Sequence, residues 1–298
     1  MTSNGTEEAP ETLAVLPLVR ESIKRLFADE AIPLAGNIAF RTLFSMFPFL
    51  IFLTALAGFF GTTGQARAAV DFLLQVAPEA IIRPLEGEII SILTVPRTDL
   101  LSAAALLTIW SAMAGVDSIR VGLNRAYDLR DLRSAPYLYA IEILVVIGAA
   151  IFFVGFSFFI VLLPLALRFA ATHGIEIAGS FAVLEQMRVV LAVALLFFSV
   201  IMAHIILPAK RMPLRMILPG VTTTVVIWGI LSFGFSYWLL HFNTFASTYS
   251  SLSGIFAAMF FVYLSALALI FGGEVNRVID IVRQRRAARA MIALRSER

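Results

Sequence analysis

Few residues in this 298-residue chain are of types that do chemistry, and their spacing excludes most catalysts. His173, His204 and His241 are far apart, with no HxH or HExxH spacing, and cysteine is absent. Neither an imidazole nor a thiolate metal set can therefore be assembled. No GxxxxGKS/T, GxGxxG or GxSxG run occurs, so phosphate cradles and nucleophile elbows are missing as well. The expectation is no catalytic residue, no metal and no cofactor. What remains is a set of polar groups embedded in apolar runs. Asn37, Arg41 and Ser45 fall at i, i+4 and i+8; Asp117, Arg120 and Asn124 fall at i, i+3 and i+7; Glu142, His204, Glu274 and Asn276 stand apart. An ionisable group inside a membrane costs roughly 2.5–3.5 kcal/mol on insertion scales, so each needs a physical reason.

Composition says why these groups are in a membrane at all. Hydrophobic residues make up 60% of the chain and charged residues 14%, with a mean hydropathy of +0.91. Soluble domains carry roughly 25% charged residues, and a wetted surface cannot be built from so few. A soluble enzyme, a disordered protein and a disulfide scaffold are excluded. The reading is all-α: a polytopic helical membrane bundle of six transmembrane helices with additional interfacial and outer-face helices. The net charge of +3 and isoelectric point near 9.5 reflect the Lys/Arg bias of cytoplasmic loops rather than nucleic acid.

The elements that must position the polar groups follow from periodicity. Residues 1–12 carry three glutamates and no basic residue, the reverse of a signal-peptide start, and read as a disordered tail that is retained. Val19, Ile23, Leu26 and Phe27 recur at helical spacing opposite Arg20, Glu21, Lys24 and Arg25, marking an amphipathic helix on the membrane surface. A membrane domain over 13–282 then holds spans at about 38–60, 100–123, 137–167, 189–207, 217–240 and 252–272. Pro48 is expected to kink the first. Between the first two, 61–97 is apolar but cut by Pro78, Pro84 and Pro96 into pieces too short to span, which fits outer-face helices. Residues 283–298 form a basic cytoplasmic tail, whose arginines could meet RNA or anionic lipid but read first as a topological signal.

With both termini cytoplasmic, 17 of the 23 Lys and Arg fall inside and five outside, and Arg41 lies within the first span. This distribution obeys the positive-inside rule. Under it, Arg41, Asp117, Arg120, Glu142, His204 and Glu274 all belong to the cytoplasmic third. Two readings stand. In one they form a polar cavity or buried ion-pair cluster, favoured for Arg41 with its own stripe. In the other each snorkels to the headgroups, favoured for Asp117, Glu142 and Glu274 taken singly. Ser232 with Ser236, and Gly254 with Ala258, are four apart and indicate close packing of the last two spans. Tyr237 and Trp238 read as interface anchors.

Several stretches together resemble one family: Ala39 to Pro48 (AFRTLFSMFP), Trp110-Ser111-Ala112, and Gly122 to Tyr127 (GLNRAY). Leu218-Pro219-Gly220 leading to Trp228, Tyr249 to Gly254, and Val262 to Ala266 ending in Gly272-Gly273-Glu274-Val275-Asn276 complete the set. The chain is similar over roughly 18–282 to the YihY/BrkB family of bacterial inner-membrane proteins, with Tyr249-Ser250-Ser251-Leu252-Ser253-Gly254 where the family has a Tyr-Gly-Ser-Leu-Gly run. The resemblance implies a six-span, multi-pass inner-membrane protein without a settled activity, linked in some relatives to virulence and envelope integrity, with lipid transport suggested. Some relatives carry the label ribonuclease BN, against which the missing metal ligands argue. The first functional expectation is translocation of an amphipathic envelope lipid, with membrane lipids as partners, Arg41 and Arg120 meeting its headgroup, and no nucleic acid. The alternative is a non-transporting scaffold that docks an envelope protein at 61–97; an enzyme is the weakest.

Overall fold

The computed structural model describes residues 15–60, 86–95, 98–157, 180–241 and 246–296, with Gly64, Arg67 and Val70 besides. Regular structure among them is helical throughout: α1 (Val15–Ala28), α2 (Ala31–Phe60), α3 (Glu86–Thr94), α4 (Thr98–Ala126), α5 (Ala135–Ser157), α6 (Ser180–Ile206), α7 (Leu214–His241) and α8 (Ala246–Ser296). The tail at 1–12, most of the 61–97 segment and the last third of the third expected span lie outside the described residues.

Among the described residues five stretches are long and apolar enough to cross a membrane: Ala31–Leu56, Thr98–Ala126, Ala135–Phe152, Leu214–Trp238 and Gly254–Arg295. The molecule is a multi-pass helical membrane protein. The fourth of the six expected spans falls in α6, whose described apolar part is Val190–Ile206. α6 as a whole is 27 residues, roughly 40 Å at about 1.5 Å per residue. α2 starts directly after Glu30, which sits at φ 56°, and runs unbroken through Pro48. α8 joins the expected last span and the basic tail into one helix of 51 residues. Its length of about 77 Å exceeds any bilayer, so its arginine-rich end must project.

Contacts divide the chain into two compact units. One holds residues up to Ala39 and from Val116 onward; the other is Phe40–Gly115. In the first, α1 packs on α8 and α7 packs on both α6 and α8. One core joins Leu26 to Ala31, Ala35, Ile38, Ala126, Ala266 and Ile270, where small side chains permit close approach. A second joins Leu123, Tyr127 and Leu207. α1 buries Glu21, Ser22 and Leu26 and leaves Val15, Val19, Ile23 and Phe27 exposed along one stripe, the face for lipid. In the second unit Phe44, Phe47, Leu106 and Trp110 are exposed, as side chains facing acyl chains are.

The tightest contact is not where small-residue spacing suggested. Gly254 is exposed with nothing within 4 Å of a Cβ built there, and Ser236 is exposed. The backbones of α7 and α8 instead meet at Gly220 and Gly272, where a Cβ on Gly220 would fall 2.0 Å from the Gly272 carbonyl oxygen. Thr224 sits one turn on and donates to the Ala268 carbonyl at 3.2 Å.

Candidate functional site

The site grows from the end of α4. Asn124 accepts from the Leu129 N–H at 2.8 Å through its carbonyl, and Arg125 accepts from Asp128 N–H at 2.9 Å. This double closure is a Schellman motif with Asp128 in the left-handed region at φ 52°. It turns the chain sharply enough to bring Asp131 back over α4. Arg120 donates through Nη1 to Asp131 Oδ2 and through Nη2 to Asp117 Oδ1, both at 2.5 Å, and its Nε lies 3.7 Å from Glu142 Oε1 on α5. Asp131 also accepts from Arg133, through Nε at 2.9 Å and Nη2 at 2.7 Å, and from its N–H at 3.1 Å. The Arg133 hydrogen bonds hold the Asp131 carboxyl well below the usual carboxylate range. Arg133 reaches on to the Leu207 carbonyl at 2.7 Å, and Asn124 accepts from the Ala209 N–H at 2.7 Å. One ionic network thus ties the turn after α4 to the turn after α6.

A second, less charged network centres on Asn276. Its Oδ1 accepts the Gly220 N–H at 2.7 Å, while Nδ2 donates to the Ile217 carbonyl at 3.1 Å and to Tyr127 Oη at 2.9 Å. The backbone donor at Gly220 fixes which end of the amide is oxygen. Tyr127 Oη, accepting from Asn276, also pairs with His204 Nδ1 at 2.7 Å. Burial pushes the Tyr127 phenol well above its ordinary value, so it keeps its proton. Arg277 then clamps the turn, donating to the Tyr127 carbonyl at 2.8 Å and to Asp128 Oδ2 at 2.6 Å. Glu274, two residues before Asn276, is 0% exposed, and among the described residues neither carboxyl oxygen has a hydrogen-bond partner.

Elsewhere in this unit an apolar cavity of about 380 Å³ is lined by Gly36, Ala39, Phe256, Met259, Phe260 and Tyr263. Small-molecule sites span roughly 300–1,000 Å³. Among the described residues no group of three or more His, Cys, Asp or Glu could hold a metal ion.

Comparison with known proteins follows the same residues. The family model for virulence factor BrkB matches residues 22–294. The chain belongs to the virulence factor BrkB family. A protein of Bacillus subtilis named putative ribonuclease-like protein YfkH is 28% identical over 271 residues, covering 89% of this chain and 95% of that protein. A UPF0761 membrane protein of Pseudoalteromonas atlantica is 22% identical over 251 residues, 83% of this chain and 80% of the relative. One from Xanthomonas axonopodis pv. citri is 24% identical over 259 residues, which is 84% of this chain but 58% of that longer protein. No solved structure matches.

In this BrkB-family chain the expected polar residues separate into groups. Asp117, Arg120, Asn124 and Glu142 share the ionic network, and His204 and Asn276 share the second. Glu142 at 4% exposure and Glu274 at 0% are buried in protein, which differs from the snorkelling expected of each alone. The reason is α8 and α5: packed neighbours cover these carboxyls before they reach a headgroup. Arg120 is surrounded by the protein's own carboxylates, so its guanidinium is committed inward. Arg41 is half-buried and donates to the Ala114 carbonyl at 3.0 Å. Asn37 is exposed, and Ser45 turns back to the Thr42 carbonyl at 2.7 Å. Asp131, Tyr127, Arg133, Gly220 and Arg277 are central and were not singled out by spacing. Asp131 carried one signal: it is the acid between Arg130 and Arg133 in a short basic turn.

Proposed function

We propose that this BrkB-family protein binds and translocates an amphipathic envelope lipid in the bacterial inner membrane, with both termini on the cytoplasmic side. The observation that carries the reading is the apolar cavity between the start of α2 and the first third of α8. Its lining of Gly36, Ala39, Phe256, Met259, Phe260 and Tyr263 offers one phenol and otherwise only carbon and sulfur, the surface an acyl tail takes. Arg120 is set aside as a headgroup contact, because Asp117, Asp131 and Glu142 surround it.

The orientation rests on the charge pattern: the turns holding Arg125, Arg130 and Arg133, and Lys210, Arg211 and Arg215, lie on one side with the basic end of α8. The test is native mass spectrometry of protein taken from its own membrane. Gly36 has nothing within 4 Å of an added Cβ, so Gly36→Phe fills the cavity without a clash at the backbone. Wild type should carry a bound lipid that Gly36→Phe loses at unchanged melting temperature. Retention of the lipid in the filled variant, or its absence from wild type, overturns the reading.

A further inference from the structure

We propose that Glu274 is a proton-binding site: its carboxyl holds a proton in the packed bundle and gives it up when the seam between α8, α1 and the turn after α4 opens. This stands apart from the lipid reading and uses none of the cavity residues.

The argument begins with burial. Glu274 has no exposed surface, and neither oxygen has a hydrogen-bond partner among the described residues. An ionised carboxylate so placed loses its hydration with nothing in return, and such a group neutralises instead. Its surroundings are closed rather than wet. On the next residue toward the N-terminus, a Cβ built on Gly273 would fall 2.9 Å from Ala126 Cβ, and Gly272 lies against Gly220. α8 is thus pressed on both α4 and α7 within one turn of the carboxyl.

The charged and titratable groups around it come from every neighbouring element. Arg25 and Asp29 come from α1 and its end, Asp128 from the turn after α4, and Arg277 from α8 itself. Tyr127 acts on it from the same turn, and α7 faces α8 here with Gly220 and Thr224, which do not titrate. Arg25 is engaged by Glu21 at 3.3 Å and Arg277 by Asp128 at 2.6 Å, so these cations have carboxylate partners of their own. Among the described residues neither cation donates a hydrogen bond to Glu274. Any shift that frees Arg25 or Arg277 toward Glu274 favours ionisation, and packing them away favours the proton. Protonation is thereby coupled to helix position, the relation expected of intramembrane acids in proton-linked movement. The adjoining chain from Asn276 through Tyr127 to His204 gives the site a hydrogen-bonded neighbour in the bundle interior.

The experiment uses the full chain in nanodiscs. Infrared difference spectroscopy at neutral pH should show a protonated-carboxyl C=O band that shifts with ¹³C-glutamate and is lost in Glu274→Gln. Because the folded form holds the proton and the unfolded form releases it, wild-type melting temperature should fall as pH rises from about 5 to about 9. Glu274→Gln should be flat on that limb. If Gln does not fold, Glu274→Met supplies the neutral comparison. Absence of the band overturns the proposal, as does a neutral variant with the wild-type pH profile. Stability that follows sodium or potassium at fixed pH overturns it too, since the group would then be a carboxylate cation site.

Discussion

The amide of Asn276 hydrogen-bonds the hydroxyl of Tyr127 at 2.9 Å across a separation of 149 residues. The same amide pairs with Gly220 N–H and the Ile217 carbonyl on either side of Pro219, where α7 lacks one backbone donor. One side chain therefore joins three elements: α8, the end of α4 and the first turns of α7.

Asn276→Ala removes all three bonds. Each is worth about 1 kcal/mol, with more lost where a buried group is orphaned. The expected destabilisation is about 2–4 kcal/mol, read as a lowered melting temperature in detergent. A variant within about 0.5 kcal/mol of wild type would mean the amide is replaceable there.

Arg120→Ala leaves Asp117, Asp131 and Glu142 facing one another. Breaking a buried pair from one side costs about 3–5 kcal/mol, and loss of folded protein on size exclusion is the expected outcome. Arg120→Lys should fall between, since one ammonium cannot fork to Asp117 and Asp131 together. A lysine variant as stable as wild type would count against the bidentate geometry.

Acid should loosen the turn after α4. Arg133 and then Arg120 hold Asp131 below the usual carboxylate range, so its stabilisation is complete above the unfolded value, about pH 4, and is lost as pH falls further. Melting curves between about pH 3 and pH 6 should steepen for wild type and flatten for Asp131→Asn. Equal slopes would remove Asp131 from the account.

Gly220→Ala and Gly272→Ala meet backbone oxygen or Thr224 at about the same impossible distance, 2.0 and 2.1 Å. Separating α7 from α8 should cost about 1–3 kcal/mol or more. Gly229→Ala and Gly234→Ala have open space and serve as controls, expected to be neutral or stabilising by up to about 1 kcal/mol. Equal behaviour of the two pairs would contradict the close approach.

The membrane class and the all-helical build were legible because hydropathy and charge report directly on solvent. Arg120 with Asp117 was legible because both sit on one helix at i and i+3. What joins helices was not. Asp131 acts through a turn whose left-handed residue is an aspartate rather than glycine, so no turn signal marked it. Gly220 and Gly272 are adjacent only in space, whereas Ser236, Gly254 and Ala258, which have motif spacing, are exposed. Tyr127 lay at the edge of a basic extension, where its burial depends on α8, a helix that starts 119 residues later.

The position of α8 in the chain also orders its manufacture. Tyr127, Gly220 and Ile217 enter the membrane with α4 and α7, but the side chain that satisfies them arrives only with Asn276. A nascent chain still short of Gly272 holds a phenol and the first turns of a proline-containing helix with no mate, and α7 without a close neighbour. Until the last of the described helices threads in, those groups wait for their partner. The helix that closes the bundle is thus the last of the described helices to be made.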